Sequence, residues 1–259
     1  NDVKYSINQG DHWYAWTETV TGPAAACKGI ASDGRYAYVA ADGKVWRIDG
    51  AAVGGATLDG SNAYWSMSST DGIWVANGYL ITSVGSAPST DADITSSSFP
   101  QVDTWTTVIG TPTGIYAAGN KGDRGRIYHI GITASTTDLK APVLAAELPQ
   151  GETINALSEY SGILCIGTSK GIRLAQMALT THNSFGGSAT GFITYGPRIN
   201  IDNGVQVFDA QGEFIWFGWE NYDSPFDTTT RSGLGRLSLK ELTGPLVPAY
   251  ASDLMVTSK

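Results

Sequence analysis

A glycine followed by a short run of strand-forming apolar residues recurs along this chain at a nearly constant spacing. The five copies begin at Gly34 (GRYAYVAA), Gly78 (GYLITSVG), Gly114 (GIYAAG), Gly162 (GILCIG) and Gly212 (GEFIWFG), in steps of 44, 36, 48 and 50 residues. Four copies carry a second strand with its own glycine, at Gly43, Gly125, Gly171 and Gly235. A repeat of about 45 residues made of strands alone is typical of β-propeller blades. The sequence therefore predicts an all-β propeller with five recognisable blades, as a closed five-bladed ring or as part of a six- or seven-bladed one.

The repeat also divides the chain. Residues 29–259 are predicted to form the blades, and residues 1–28 precede them with a strand from His12 to Thr21 that we expect in a neighbouring or closing blade. The copy at Gly78 has no second strand after it. In its place stands the low-complexity segment from Gly85 to Ser98 (GSAPSTDADITSSS), which predicts a solvated loop and an irregular blade.

Charge and hydropathy exclude two classes of partner. The formal net charge is −8 and no run of lysine or arginine occurs, whereas nucleic-acid binding needs a basic surface that neutralises phosphates. No segment approaches the roughly 20 consecutive apolar residues of a membrane span. We therefore expect neither nucleic-acid binding nor membrane insertion.

Cysteine and histidine usage gives no sign of a metal site or a cofactor. Cys165 lies inside the apolar run GILCIG, where a free thiol packs as a small apolar group, and Cys27 precedes the first blade. His12, His129 and His182 fall in separate blades, and no spacing typical of zinc ligands occurs. His129 alternates within GRIYHI and is predicted to lie on a strand surface.

Five carboxylates are candidates for a glycosidase pair, since propeller glycosidases present an acid and a base or nucleophile near the central channel. The candidates are Asp33, Asp71, Asp103, Glu159 and Asp209. Asp33, Glu159 and Asp209 precede the glycine turns of their blades, a repeated position that favours a role as turn acceptors. We therefore expect no catalytic residue and no enzyme activity, with a propeller glycosidase kept as an alternative.

Aromatic residues offer the other route to function, because their rings stack on sugars and anchor protein contacts. Five tryptophans alternate within strands and are predicted to be core: Trp46, Trp65, Trp74, Trp105 and Trp216. A second set borders the long insertion from Glu220 to Ser232: Trp219, Tyr222, Asp223 and Phe226. Long loops on a rigid scaffold carry binding specificity, so this second set is the candidate binding site. A carbohydrate-binding, lectin-like propeller is one alternative that it supports.

Four runs in the last two blades, within about residues 151–255, form a distinctive set: TINALSEYSGILCIGTSKGIRLAQM from Thr153, FIWFGWENYD from Phe214, GLGRLSL from Gly233 and PAYASDLM from Pro248. In these runs the chain resembles minor tail proteins of tailed phages that infect actinobacteria. The resemblance implies a structural or host-contact module near the tail tip of a virion, assembled in the host bacterial cytoplasm. The implied partners are other tail-tip proteins and a host cell-surface glycan. Members of this family continue past AYASDLM, which implies that the chain is a fragment. The family implies no catalytic residues.

Overall fold

Every regular element in the described part of this computed structural model is a β-strand. The structure describes residues 99–111, 114–131, 139–179, 191–201, 204–210, 212–220 and 232–238 with their side chains. Elsewhere it describes only the backbone of the strands given below. The predicted strand from His12 to Thr21 falls outside these residues except for Tyr14 and Ala15, which belong to the second strand.

The strands form one pair and five four-stranded sheets among the described residues. The pair is β1 (Lys4–Tyr5) with β2 (Tyr14–Ala15). Sheet 1 contains β3 (Gly29–Ser32), β4 (Ala37–Ala41), β5 (Lys44–Ile48) and β6 (Val53–Thr57). Sheet 2 contains β7 (Tyr64–Ser68), β8 (Ile73–Asn77), β9 (Leu80–Val84) and β10 (Ile94–Ser98).

The remaining sheets follow the same order. Sheet 3 contains β11 (Thr104–Thr111), β12 (Gly114–Lys121), β13 (Arg124–Ile130) and β14 (Val143–Glu147). Sheet 4 contains β15 (Ile154–Tyr160), β16 (Ile163–Thr168), β17 (Gly171–Thr181) and β18 (Ala189–Asn200). Sheet 5 contains β19 (Gly204–Gln211), β20 (Phe214–Asn221), β21 (Arg231–Ser238) and β22 (Thr257–Ser258). All neighbouring strands are antiparallel and consecutive in sequence, as in a propeller blade.

Sheet 2 corrects two expectations from the sequence. The run after Gly78 is the third strand of the sheet, β9, and its preceding partner is β8. The polar run ITSSS, expected to be a loop, is the fourth strand, β10, paired with β9 from Ile94↔Val84 to Ser98↔Leu80. An outer strand needs only one hydrogen-bonded neighbour and little apolar surface, so serine and threonine suffice there. Sheet 2 is therefore a regular four-stranded sheet.

The five sheets stack in chain order through their first strands. Strand β3 contacts β7, β7 contacts β11, β11 contacts β15 and β15 contacts β19. A β-bulge interrupts four of these strands at one register position, between Tyr64 and Ser66, Trp105 and Thr107, Ile154 and Ala156, and Val205 and Val207. Because a bulge bends its strand and increases the local twist, the repeated bulge adapts each first strand to its neighbours. No pattern in the sequence predicted this bulge.

The core consists of apolar layers between successive sheets. Tyr116, Ala118 and Ile127 of sheet 3 belong to one buried cluster with Leu164 and Ile166 of sheet 4. On the opposite side of sheet 4, a second cluster combines Cys165 and Ile172 with Ile215 and Phe217 of sheet 5. The apolar strands of sheet 4 are therefore covered on both faces.

A small residue permits close approach at the second of these layers. A side chain at Gly167 in β16 would place its Cβ 3.0 Å from the carbonyl oxygen of Val205 in the next sheet and 3.0 Å from the ring of Phe208. Gly167 therefore marks a close backbone approach between sheets 4 and 5.

The predicted core tryptophans have different outcomes. Trp105 is fully buried, donates its indole N–H to the carbonyl oxygen of Phe99 at 3.1 Å, and meets Tyr128 edge-on. Trp216 is half-buried, so the prediction that it belongs to the core is wrong in this structure. The side chains of Trp46, Trp65 and Trp74 lie outside the described residues.

We expect Trp105→Ala to lower the free energy of unfolding by about 3–5 kcal/mol, because it removes a buried aromatic side chain and leaves a cavity. Urea denaturation followed by circular dichroism measures this loss. Phe192→Ala is the control: Phe192 is an aromatic residue 42% exposed on β18, and its truncation should cost less than about 1 kcal/mol. Equal losses for the two variants would contradict the assignment of Trp105 to the core.

Candidate functional site

The sequence-predicted site is only partly within the described residues. Trp219 lies near the end of β20, whereas Tyr222, Asp223 and Phe226 lie outside the described part of the chain. The register of sheet 5 nevertheless fixes the two ends of their loop, since Asn221 pairs with Arg231 and Glu220 pairs with Ser232. Residues 222–230 therefore connect two directly paired strands of the sheet.

Trp219 packs into the core near the end of β20, the strand that leads into this loop. Its half-buried ring packs against the cluster between sheets 4 and 5, and it lies over Gly233, where any Cβ would collide with the indole. Phe217 lies over Gly235 in the same way. The glycines of GLGRLSL thus provide room for the aromatic rings of FIWFGW on the neighbouring strand, which gives this pair of motifs a packing reason.

The opposite side of sheet 5 presents a partly exposed aromatic and cationic surface. The Arg236 guanidinium lies 4.6 Å from the centroid of the Phe214 ring and 5.8 Å from that of Trp216. Beside them, Val207 is 56% and Leu234 is 53% exposed. We call these five residues the open face of sheet 5. Aromatic rings and a guanidinium contact sugars and protein surfaces through stacking and hydrogen bonds, without any chemical step.

A buried ion pair joins the connection after β14 to β17. No motif in the sequence predicted it. Arg173 donates from Nε to Oε1 of Glu152 at 3.0 Å and from Nη2 to Oε2 at 2.7 Å, and its Nη1 donates to the carbonyl oxygen of Gly196 at 3.0 Å. Its guanidinium also lies 5.1 Å from the centre of the Tyr195 ring. The only sequence signal was an arginine inside the otherwise apolar run GIRLAQ.

The ionisation of Glu152 follows from opposing effects. Burial raises the pKa of Glu152, but hydrogen bonds from Arg173 and Thr168 and the positive charge of Arg173 outweigh it, so that the net pKa is lowered. The carboxylate is therefore charged in the folded protein at neutral pH. It holds the guanidinium in a fixed bidentate geometry.

A second ionic cluster lies within sheet 3, nearer the surface, and a hydrogen bond beside it reaches sheet 4. Glu147 accepts from Nη1 of Arg124 at 2.8 Å and from Nε of Arg126 at 2.7 Å, and these hydrogen bonds lower the pKa of its carboxyl group. The hydroxyl of Tyr195 in β18 donates to the carbonyl oxygen of Glu147 in β14 at 2.8 Å. The Glu152–Arg173 pair and the Glu147 cluster therefore both stabilise contacts between neighbouring segments of the fold.

Three of the candidate carboxylates have local hydrogen-bond partners. Glu159 accepts from the backbone N–H of Gly162 at 2.8 Å, which confirms its predicted role as a turn acceptor. Asp103 accepts from the Gly122 N–H and the Lys121 ammonium, both at 2.8 Å, and these bonds lower the pKa of Asp103. Asp209 accepts from the N–H of Ala210 within its own strand. Asp33 and Asp71 lie outside the described residues.

The cysteine and histidine expectations have opposite outcomes. Cys165 is a free, buried thiol, as predicted, and burial together with the charge of Glu159 raises its pKa to about 12. His129 is buried against Tyr116, with ring centroids 5.1 Å apart, so its predicted surface position is wrong. The alternation of GRIYHI predicted one exposed face, but the stacked sheets cover both.

The described residues contain no group of three or more histidine, cysteine, aspartate or glutamate side chains arranged to hold a metal ion. They also include no helix long and apolar enough to cross a membrane. His12 and His182 lie outside this part of the chain.

Comparison with known proteins supports the fold alone. The chain is similar to a structure from a crystallised nidogen/laminin complex, with a TM-score of 0.56 and 11% identity over 88% of this chain and 80% of that one. It is also similar to the WD40 β-propeller domain of Doa1, with a TM-score of 0.51 and 9% identity over 85% and 68% of the two chains. No protein-family model and no curated protein matches the sequence. The all-β, propeller-like fold predicted from the repeat is thus confirmed.

We expect Glu152→Gln to lower the free energy of unfolding at pH 7 by about 3 kcal/mol, because it leaves the buried Arg173 guanidinium without its counter-charge. Folding lowers the pKa of Glu152, so this carboxylate stabilises the folded state fully at any pH above its unfolded-state pKa. The stabilisation is lost as the pH falls through the lower pKa of the folded state. Urea denaturation from neutral to acidic pH should therefore show wild type and variant converging in acid.

Asp103→Asn is the matched control, because the Lys121–Asp103 pair has a similar length of 2.8 Å but both side chains are about half exposed. Water screens an exposed ion pair and leaves it little net contribution to stability, so this variant should remain close to wild type at neutral pH. A larger loss for Asp103→Asn than for Glu152→Gln would contradict the assigned importance of the buried pair.

Proposed function

We propose that this protein is a non-enzymatic minor tail component of a phage virion, with a propeller that acts as scaffold and host-contact module near the tail tip. The proposal rests on the resemblance of FIWFGWENYD and GLGRLSL to minor tail proteins of phages that infect actinobacteria. The observation that supports a contact role is the hairpin of β20 and β21, which holds residues 222–230 at a directly paired strand end. The two ends of this loop are fixed by strand pairing, and long loops on a rigid scaffold are where binding specificity resides.

In this proposal the five four-stranded sheets are blades around a common axis, either a complete ring or five blades of a larger one. The first strands, which contact one another in sequence, would line that axis. The site residues are Trp219, as the anchor at the base of the loop, and Tyr222, Asp223 and Phe226 within it. The proposed partners are other tail-tip proteins and a host cell-surface glycan.

The local hydrogen bonds of Glu159, Asp103 and Asp209 favour a non-catalytic role, because each of these carboxylates stabilises its own turn, strand or neighbouring loop. Assays for hydrolysis of arabinan, galactan and peptidoglycan should therefore give no product. Product formation that is lost on substitution of Asp71 or Asp103 would replace this proposal with a propeller glycosidase.

The location is tested with an antibody raised against this chain. Immunogold electron microscopy of purified virions should label the tail tip. Absence of label from intact and from partially disrupted virions would contradict a tail protein. A glycan array then separates a tail adhesin from a lectin that acts apart from the virion, because a lectin would bind a defined sugar and be absent from particles.

We expect Tyr222→Ala combined with Phe226→Ala to weaken labelling of host cells by the fluorescent chain and to leave the unfolding midpoint unchanged. The reason is that aromatic side chains on a binding loop contribute contact area to the partner and little to the folded core. Phe192→Ala is the control, since it removes an exposed ring from sheet 4 and should leave labelling intact. Loss of stability with full labelling would instead make the loop a packing element.

A further inference from the structure

The open face of sheet 5 occupies register positions that are buried in the two preceding sheets. Val207 directly follows the bulge of β19, as Thr107 and Ala156 follow the bulges of β11 and β15. Thr107 and Ala156 are both buried, at 4% and 7% exposure, whereas Val207 is 56% exposed. This register position is therefore covered in sheets 3 and 4 but exposed to solvent in sheet 5.

Two further positions repeat this contrast. Leu234 of sheet 5 pairs with Gly218. At the same register position, Ile127 pairs with Ala118 in sheet 3 and Ile172 pairs with Gly167 in sheet 4. Both isoleucines are buried, whereas Leu234 is 53% exposed. Trp216 stands two residues before Gly218, where sheets 3 and 4 have the buried residues Tyr116 and Cys165. The open face thus has the composition of an interface between sheets.

A polar group at the edge of this face points to the same conclusion. The bulge residue of β11, Thr106, donates from its hydroxyl to the carbonyl oxygen of Ile154 in the next sheet at 2.9 Å. Gln206 is the corresponding bulge residue of β19, and its Nε2 is buried without a hydrogen-bond partner. A buried amide donor without an acceptor is costly, and an acceptor on a following sheet would satisfy it.

Sheet 1 has a matching face. In sheet 4, the residues that pack toward sheet 3 include Leu157, Leu164, Ile166 and Ala175. Sheets 1 and 4 can be aligned because the turns after β4 and β16 both leave two unpaired residues. In this alignment the pair Leu157↔Ile166 of sheet 4 corresponds to Ile30↔Val39 of sheet 1. The pair Leu164↔Ala175 corresponds to Ala37↔Ile48. All four positions in sheet 1 are apolar. Sheet 2 follows sheet 1 through the contact of β3 with β7, which leaves these positions for a preceding sheet.

We propose that the open face of sheet 5 is an interface that packs against this face of sheet 1 and closes the five sheets into one ring. Closure covers Val207, Leu234 and the exposed part of Trp216, and it supplies the acceptor for Gln206. The proposal is independent of any role in a virion. A closing layer formed by the β1–β2 pair, or a second copy of the chain, are the alternative occupants of the same face.

A disulfide tests the closure in the full chain. At the interface of sheets 3 and 4, the Thr107 hydroxyl accepts from the Leu157 N–H at 3.2 Å, so these two positions are adjacent across the sheets. The corresponding positions across the closing interface are 207 and 30. We expect Val207→Cys with Ile30→Cys, in a Cys27→Ser background, to form an intramolecular disulfide under mild oxidation, because the Cα atoms then fall within the range that a disulfide spans.

The product is identified on a non-reducing gel and by mass spectrometry of the linked peptide. Val143→Cys with Ile30→Cys is the control, since Val143 is 44% exposed but lies on the outer strand of sheet 3. A monomer linked between 30 and 207, with no link in the control, supports the proposal. No link, a link only between two chains, or equal linking in the control overturns it.

A second measurement does not depend on disulfide chemistry. Val207→Asp should lower the melting temperature by at least about 4 °C, the shift expected when a charge is placed in the interior of a domain of this size. Val143→Asp introduces the same charge at a similarly exposed valine and should change the melting temperature by less than about 2 °C. Equal effects of the two variants would show that position 207 faces solvent and would overturn the closure.

Discussion

The need to cover both faces of each sheet governs this structure. A four-stranded sheet with apolar residues on both sides is stable only between two neighbours, and sheet 4 shows the arrangement in full. Its residues Leu164 and Ile166 pack toward sheet 3, while Cys165 and Ile172 pack toward sheet 5. Each sheet therefore depends on the next, and stability is shared along the stack as in other repeat architectures.

Polar contacts set the register of this apolar packing. Burial of apolar surface is non-directional, so it fixes which faces meet but not their alignment. Alignment comes from directed bonds, such as those from Thr106 to the Ile154 carbonyl and from Tyr195 to the Glu147 carbonyl. The buried pair of Glu152 and Arg173 acts in the same way, because its bidentate geometry tolerates little displacement of the connection between sheets 3 and 4.

The aromatic run of β20 and the glycine run of β21 have a structural reason in this fold. Trp219 and Phe217 cover Gly233 and Gly235 across the β20–β21 pair, so the aromatic run and the glycine run require each other. This requirement accounts for the two runs but not for the sequence between them. The proposed contact function is assigned to Tyr222, Asp223 and Phe226, which lie between these two runs in the sequence.

The sequence alone determined the class of the fold, because strand length, glycine turns and a repeat of nearly constant spacing are local properties. It also identified Trp105 and Cys165 as buried and Glu159 as a turn acceptor. Local pattern failed where a neighbouring strand or sheet decides the environment of a residue. The polar run of β10 became a strand through pairing with β9, and His129 became buried because the stacked sheets cover both faces. Only the tertiary structure brought Arg173 to Glu152 and aligned the bulges of four first strands, since both depend on where separate sheets meet.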